Sequence, residues 1–214
     1  MGVSLILNGC SPYGKHISAL KNSDVEARRN AAFRLSPCHR VDIKVLPKLL
    51  DALEDEDAVV REFTIKTIGK MDPHIKDVPH AIRRGLRDPD LSVRRASAAI
   101  FSSMKPVPSE VLFTLAESLG DKDSLLRTFV RSTFIDLGPI GVNALVRICQ
   151  NGDGNADLKC LALTTLGTIG CEAKRALPVL QGMLNDTNQE VRTAAQQSIE
   201  RIQYSYFCPS QSPQ

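Results

Sequence analysis

A basic residue recurs along this chain at an almost constant interval. Arg28, Arg61, Arg94, Arg127, Lys159 and Arg192 are separated by 33, 33, 33, 32 and 33 positions. Four residues before each stands an acidic or amide residue: Asp24, Asp57, Asp90, Asp123, Asn155 and Asn188. Two residues earlier there is a second one, at Asn22, Asp55, Asp88, Asp121, Asp153 and Asp186. Self-similarity at a fixed period of this length restricts a chain to repeat architectures, in which one supersecondary unit is stacked on its neighbours.

Each period reads as two helices. Apolar stripes precede the acidic pair at Leu46, Leu49, Leu50 and Leu53, at Leu112, Leu115 and Leu119, and at Leu177, Leu180 and Leu184. Intervals of three, four and seven put such residues on one helical face. After the basic residue, a second stripe recurs as Ala31/Leu35, Thr64/Ile68, Ser97/Phe101, Val130/Phe134, Ala162/Leu166 and Ala195/Ile199. The acidic or amide residue four positions before the basic one is the expected N-cap of the second helix, because its side chain accepts from first-turn N–H groups. Pro47, Pro79 and Pro178 suit the starts of first helices, and Gly69, Gly138 and Gly167 the ends of second helices. One such pair cannot bury its own apolar face, so stacking is obligatory. The expectation is an all-α, right-handed α-solenoid of about six two-helix repeats. It spans residues 13–203, between an irregular lead-in at 1–12 and a loose tail at 204–214. Irregular ends are what a complete array would show.

The pattern Asp-x-Asp-x-x-Val-Arg-x-x-Ala resembles the short HEAT-like repeats of the phycobilisome-lyase type. The resemblance covers about residues 13–203. It implies the fold, together with a ladder in which the basic residue of one repeat pairs with the acidic turn of a neighbour. It implies no particular activity, although an accessory role in a phycobilin lyase-like complex is one function such repeats serve.

Composition agrees with a helical core built without large rings: 5% of residues are aromatic, Trp is absent, and the net charge is only +3. Such a small charge does not by itself call for a nucleic-acid or membrane partner. No apolar run approaches the roughly 18 residues of a membrane span. The six cysteines (Cys10, Cys38, Cys149, Cys160, Cys171, Cys208) contain no CxxC pair, and free thiols in a reducing cytoplasm are the expectation.

Catalytic constellations are missing from the sequence. None of His16, His39, His74 and His80 is followed by Glu, and HExxH does not occur. The iron-binding His-Glu pairs of deoxyhypusine hydroxylases, built of similar repeats, are therefore absent. Cys38-His39 is adjacent in sequence, which supplies no nucleophile–base geometry. The chain has no P-loop, GxGxxG or GxSxG. The reading is a non-catalytic scaffold with no cofactor and no metal.

In HEAT-like stacks the second helices line the concave face. The residues just after the ladder position, Arg29, Glu62, Arg95, Thr128, Cys160 and Thr193, are expected to form an exposed row that contacts a peptide or helix of a partner protein. Affinity should concentrate on Glu62 and Arg95. The alternative partner is nucleic acid, held by a basic patch at Arg83, Arg84 and Arg87 with His80, Arg94 and Arg95 nearby. Against it, no aromatics are interleaved to stack bases, and the adjoining turns are acidic at Asp51, Glu54, Asp55, Glu56 and Asp57. Those acidic turns also argue against a tubulin-binding TOG-type array, which uses basic and Trp residues there.

Overall fold

Helix initiation in this protein is repeated chemistry. In the computed structural model, which describes residues 13–38, 41–102, 104, 107–151 and 155–204, Asp24, Asp57, Asp90, Asp123, Asn155 and Asn188 are all N-caps. They accept backbone N–H bonds of the first turn from helices α2 (Val25–Leu35), α4 (Ala58–Ile68), α6 (Leu91–Ala99), α8 (Ser124–Leu137), α10 (Ala156–Ile169) and α12 (Gln189–Gln203). Alternating with them are α1 (Tyr13–Ala19), α3 (Leu46–Ala52), α5 (Asp77–Gly85), α7 (Ser109–Glu117), α9 (Pro139–Asn151) and α11 (Leu177–Met183). Among the described residues these helices form six consecutive pairs and there is no β-strand.

The chain divides into two compact units, residues 1–108 and 109–214, each with three pairs. In the first unit α4 packs on both α2 and α6, so the second helices lie side by side in one layer. The first helices α3 and α5 pack against them. Leu35, Leu49, Val60, Ile65, Ile68, Val78 and Ile82 are sealed between these layers. In the second unit α10 packs on α8 and α12, and α9 on α7 and α11. Its core holds Leu115, Val130, Phe134, Leu145, Leu163, Leu166 and Leu180. Every residue of the six second-helix pairs named above is buried.

Two expectations need correction. Gly167 does not end α10 but lies inside it, and Gly170 is the cap, at φ +71°. A Cβ on Gly167 would sit 3.0 Å from the Ser198 Cα, so this glycine permits the close approach of α10 and α12. The cysteines are not uniformly reduced either. Cys149 and Cys160 are free, but Cys38 and Cys171 are each held in a disulfide of its own. Linear spacing cannot reveal such pairing, because bond formation depends on which Cβ atoms the fold brings together. The cysteine pattern therefore no longer supports a reducing compartment.

The lead-in at 1–12, Cys10, His39, the turn at Asp153, and Tyr206, Phe207 and Cys208 of the tail lie outside the described residues. Among those described, no helix is long and apolar enough to cross a membrane.

Candidate interaction surfaces

The periodic basic residue does two jobs at once. Within its own repeat, Arg61 donates from Nη1 to the carbonyls of Asp55 (2.8 Å) and Glu56 (3.1 Å). Arg28, Arg94, Arg127 and Arg192 make the same pair of bonds five and six residues back. Toward the next repeat, Arg28 forks onto Asp55 (2.7 and 3.1 Å) and Arg61 onto Asp88 (2.9 and 2.8 Å). Lys159 reaches Asp186 through one bond of 2.9 Å. The receiving carboxylate also accepts the N–H of the N-cap residue two positions on, at Asp57, Asp90 and Asn188. Each rung thus fastens a turn, a cap and a neighbouring repeat, and its side chains are nearly buried. The ladder is structural and occupies its charges internally.

Arg29 belongs to the same machinery. Its guanidinium grips Asp57, the N-cap of α4, at 3.1 and 2.6 Å, and Glu26 at 2.6 Å. That pairing is the main reason the Asp57 carboxyl titrates below the ordinary range, helped by the N–H bonds from Val60 and Val59. Of the expected row in the first unit, Glu62 is half-buried and pairs with Lys66, and Arg95 is exposed. In the second unit Thr128 and Thr193 are exposed and Cys160 is half-buried. Both threonine hydroxyls donate back to their own helix, to the carbonyls of Ser124 and Gln189.

Beside Glu62 the fold assembles a feature that the row did not anticipate. Phe33, 53% exposed, meets the Phe63 ring edge-on at 5.2 Å, and Lys66 Nζ lies 4.7 Å from the Phe63 centroid. Phe63 and Lys66 wall a groove of about 400 Å³ whose lining includes Gly69, Ala96 and Ile100. A signal for it existed. Phe33 follows Arg29 of the row by four residues and Phe63 follows Glu62 by one, so both rings adjoin the row along the chain, but aromatic composition alone did not mark them. In the second unit Leu125, 67% exposed, and Phe129 flank Thr128 in the same way.

The basic residues Arg83 and Arg84 on α5 and Arg87 just beyond its end come together with His80 and line a cleft of about 720 Å³ at the turn edge of the first unit. Glu54, Asp55 and Asp88 share that cleft. Arg95, on α6, is not among its lining residues. No group of three or more His, Cys, Asp or Glu positioned to hold a metal ion occurs among the described residues.

A model of HEAT repeats matches residues 15–100 and 46–132, and a single HEAT repeat matches 176–206. The chain belongs to the HEAT-repeat family. Matched segments reach both units of this HEAT-repeat protein, and the first two, which overlap, together span residues 15–132, more than half of it. No match is found among curated proteins. Solved structures similar to it include the MAST/Orbit N-terminal domain, with a TM-score of 0.61 and 15% identity over 88% of this chain and 96% of that one. A second is the S. pombe condensin Cnd3–Cnd2 subcomplex, at TM-score 0.58 and 18% identity, covering 90% of this chain and 27% of that one. A third is an engineered protein at TM-score 0.50 and 19% identity, over 89% and 96%. At these identities the likeness is one of fold.

Proposed function

We propose that this HEAT-repeat protein is a non-catalytic scaffold whose second-helix face binds a segment of a partner protein. Stacked repeats offer extended binding surfaces of this kind. The observation that carries the reading is the exposed Phe33 paired with the half-buried Phe63, with its adjoining groove. Aromatic side chains left at a surface beside a groove are typical anchors of protein interfaces. Glu62 and Arg95 directly precede the lining residues Phe63 and Ala96 and supply charge for orientation, while Arg29 contributes by holding the cap of α4. Thr128 and Thr193 take the corresponding positions in the second unit, where Leu125 and Phe129 provide apolar area.

The test is affinity capture from native extract with wild type, the Glu62→Arg/Arg95→Glu variant and Phe63→Ala, each at two salt concentrations. A protein captured by wild type at both salts and lost with either variant supports the scaffold. Capture unaffected by all three substitutions refutes this face as the binding surface.

A further inference from the structure

The cleft at the turn edge has walls of unequal charge balance. One wall is α5, whose His80, Arg83 and Arg84 fall at intervals of three and four and so share a helical face, with Arg87 just beyond the helix end. The other is formed by the turns that carry Glu54, Asp55 and Asp88. Two of those three carboxylates are already matched. Asp55 is forked by Arg28 and Asp88 by Arg61, in pairs whose side chains are only 9–12% exposed. The third, Glu54, pairs with Arg84, but both side chains stand in solvent at 63% and 49% exposure. A pair so exposed contributes little and exchanges readily for a better partner.

Arg83 is different. It makes no hydrogen bond or ion pair among the described residues, and its Nε is buried with no acceptor. A buried guanidinium N–H left unsatisfied is unfavourable, and the usual remedy is an anion or water at the open side. Arg83 is also a lining residue of the cleft of about 720 Å³.

We propose that this cleft is a binding site for a phosphate group, with Arg83 as the anchor and His80 and Arg84 as flanking donors. The planar fork of a guanidinium matches phosphate oxygens, and Arg84 can swing to the ligand for the cost of one weak surface pair. The occupant is a compact phosphomonoester, not a nucleic-acid strand. An extended polyanion along this edge meets Glu54, Glu56 and the neighbouring acidic turns, and no aromatic lines the cleft to stack a base. The site is separate from the second-helix face and stands whether or not that face binds a protein.

The experiment is a two-dimensional NMR titration of the whole chain with inorganic phosphate, against sodium chloride at matched ionic strength. Saturable shifts confined to α5 and to the turns around 53–56 and 87–89 are expected. Arg83→Gln should weaken binding by about tenfold or more, as loss of a charge-assisted fork does, and Arg83→Lys by less. Circular dichroism checks that each variant is folded. If Arg83→Gln is not, Arg84→Gln must show a smaller loss in the same direction. O-phosphoserine and a phosphoserine peptide then separate two sources of the same group. Equal affinity points to a free small molecule, and tighter peptide binding to a phosphorylated side chain, and both outcomes support the site. Unchanged affinity in the folded Arg83→Gln variant overturns it, as does an absence of saturable shifts. Tighter, steeply salt-dependent binding of a single-stranded oligonucleotide overturns the compact ligand.

Discussion

Arg61 and Asp88 lie 27 residues apart and meet through two parallel bonds of 2.9 and 2.8 Å. The same Asp88 carboxylate accepts the Asp90 N–H at 2.8 Å, and Asp90 in turn caps α6. A side chain of one repeat therefore holds the turn that starts a helix of the next. Removing it leaves Asp88 nearly buried without its counter-charge. We expect Arg61→Met to destabilise the first unit by about 3 kcal/mol, in the range found when one partner of a buried pair is deleted. Asp88→Asn, which keeps an acceptor for the Asp90 N–H, should cost less. Urea denaturation of the two variants beside wild type measures the difference.

Acid should unfold this protein through its caps and rungs. Asp57, Asp90 and Asp186 all titrate below the ordinary carboxylate range. The main causes are the Arg29 guanidinium, the Ser92 hydroxyl and the Asn188 N–H respectively. Unfolded, an Asp titrates near about 3.9. The stabilisation is thus complete above about pH 5 and is lost as pH falls through 4 toward the depressed folded values. Thermal unfolding followed from pH 7 to pH 2.5 should show a flat melting temperature down to about pH 5 and a decline below it. Replacing Asp57 by Asn, which still caps, should flatten the decline.

The cysteines should separate by reactivity. Burial pushes the Cys149 thiol up to about 12, and the half-exposed Cys160 is raised as well, first by burial and then by Glu190, Asp157 and Asp186. Native alkylation at pH 8 is therefore expected to be slow at both and to label Cys160 ahead of Cys149, since reaction needs an accessible thiolate. Cys38 and Cys171 should become labelled only after reduction. Mass spectrometry of peptides, with and without reductant, checks both statements.

Glycine at 167 and at 170 serves different ends. Gly167→Ala presses a methyl group to 3.0 Å from the Ser198 backbone, and overpacking of this kind costs about 1–3 kcal/mol. Gly170→Ala forces a side chain into φ +71°, ψ −139°, at about 1–3 kcal/mol of backbone strain. Combining Gly167→Ala with Ser198→Gly should recover part of the first loss and none of the second. Chemical denaturation of the single and paired variants tests this.

What the sequence determined by itself is the periodic part of this protein. Caps, stripes and rungs are local or nearest-neighbour devices, so a residue type at a fixed interval carries the whole instruction. That is why Asp57 and Asn188 were legible as caps, Ala162/Leu166 as core, and Arg61 as a rung. Tertiary packing decided whatever depends on unlike residues meeting. Arg29 became a second clamp because Asp57 lies within its reach, which no count along the chain reveals. The exposed Phe33 met the half-buried Phe63 because α2 and α4 pack side by side. Arg83 was left without an acceptor because the nearby carboxylates were claimed by Arg28, Arg61 and Arg84. The helix boundary at Gly170 instead of Gly167 has the same origin, since close contact with α12 needs a glycine within the helix and the turn needs another beyond it.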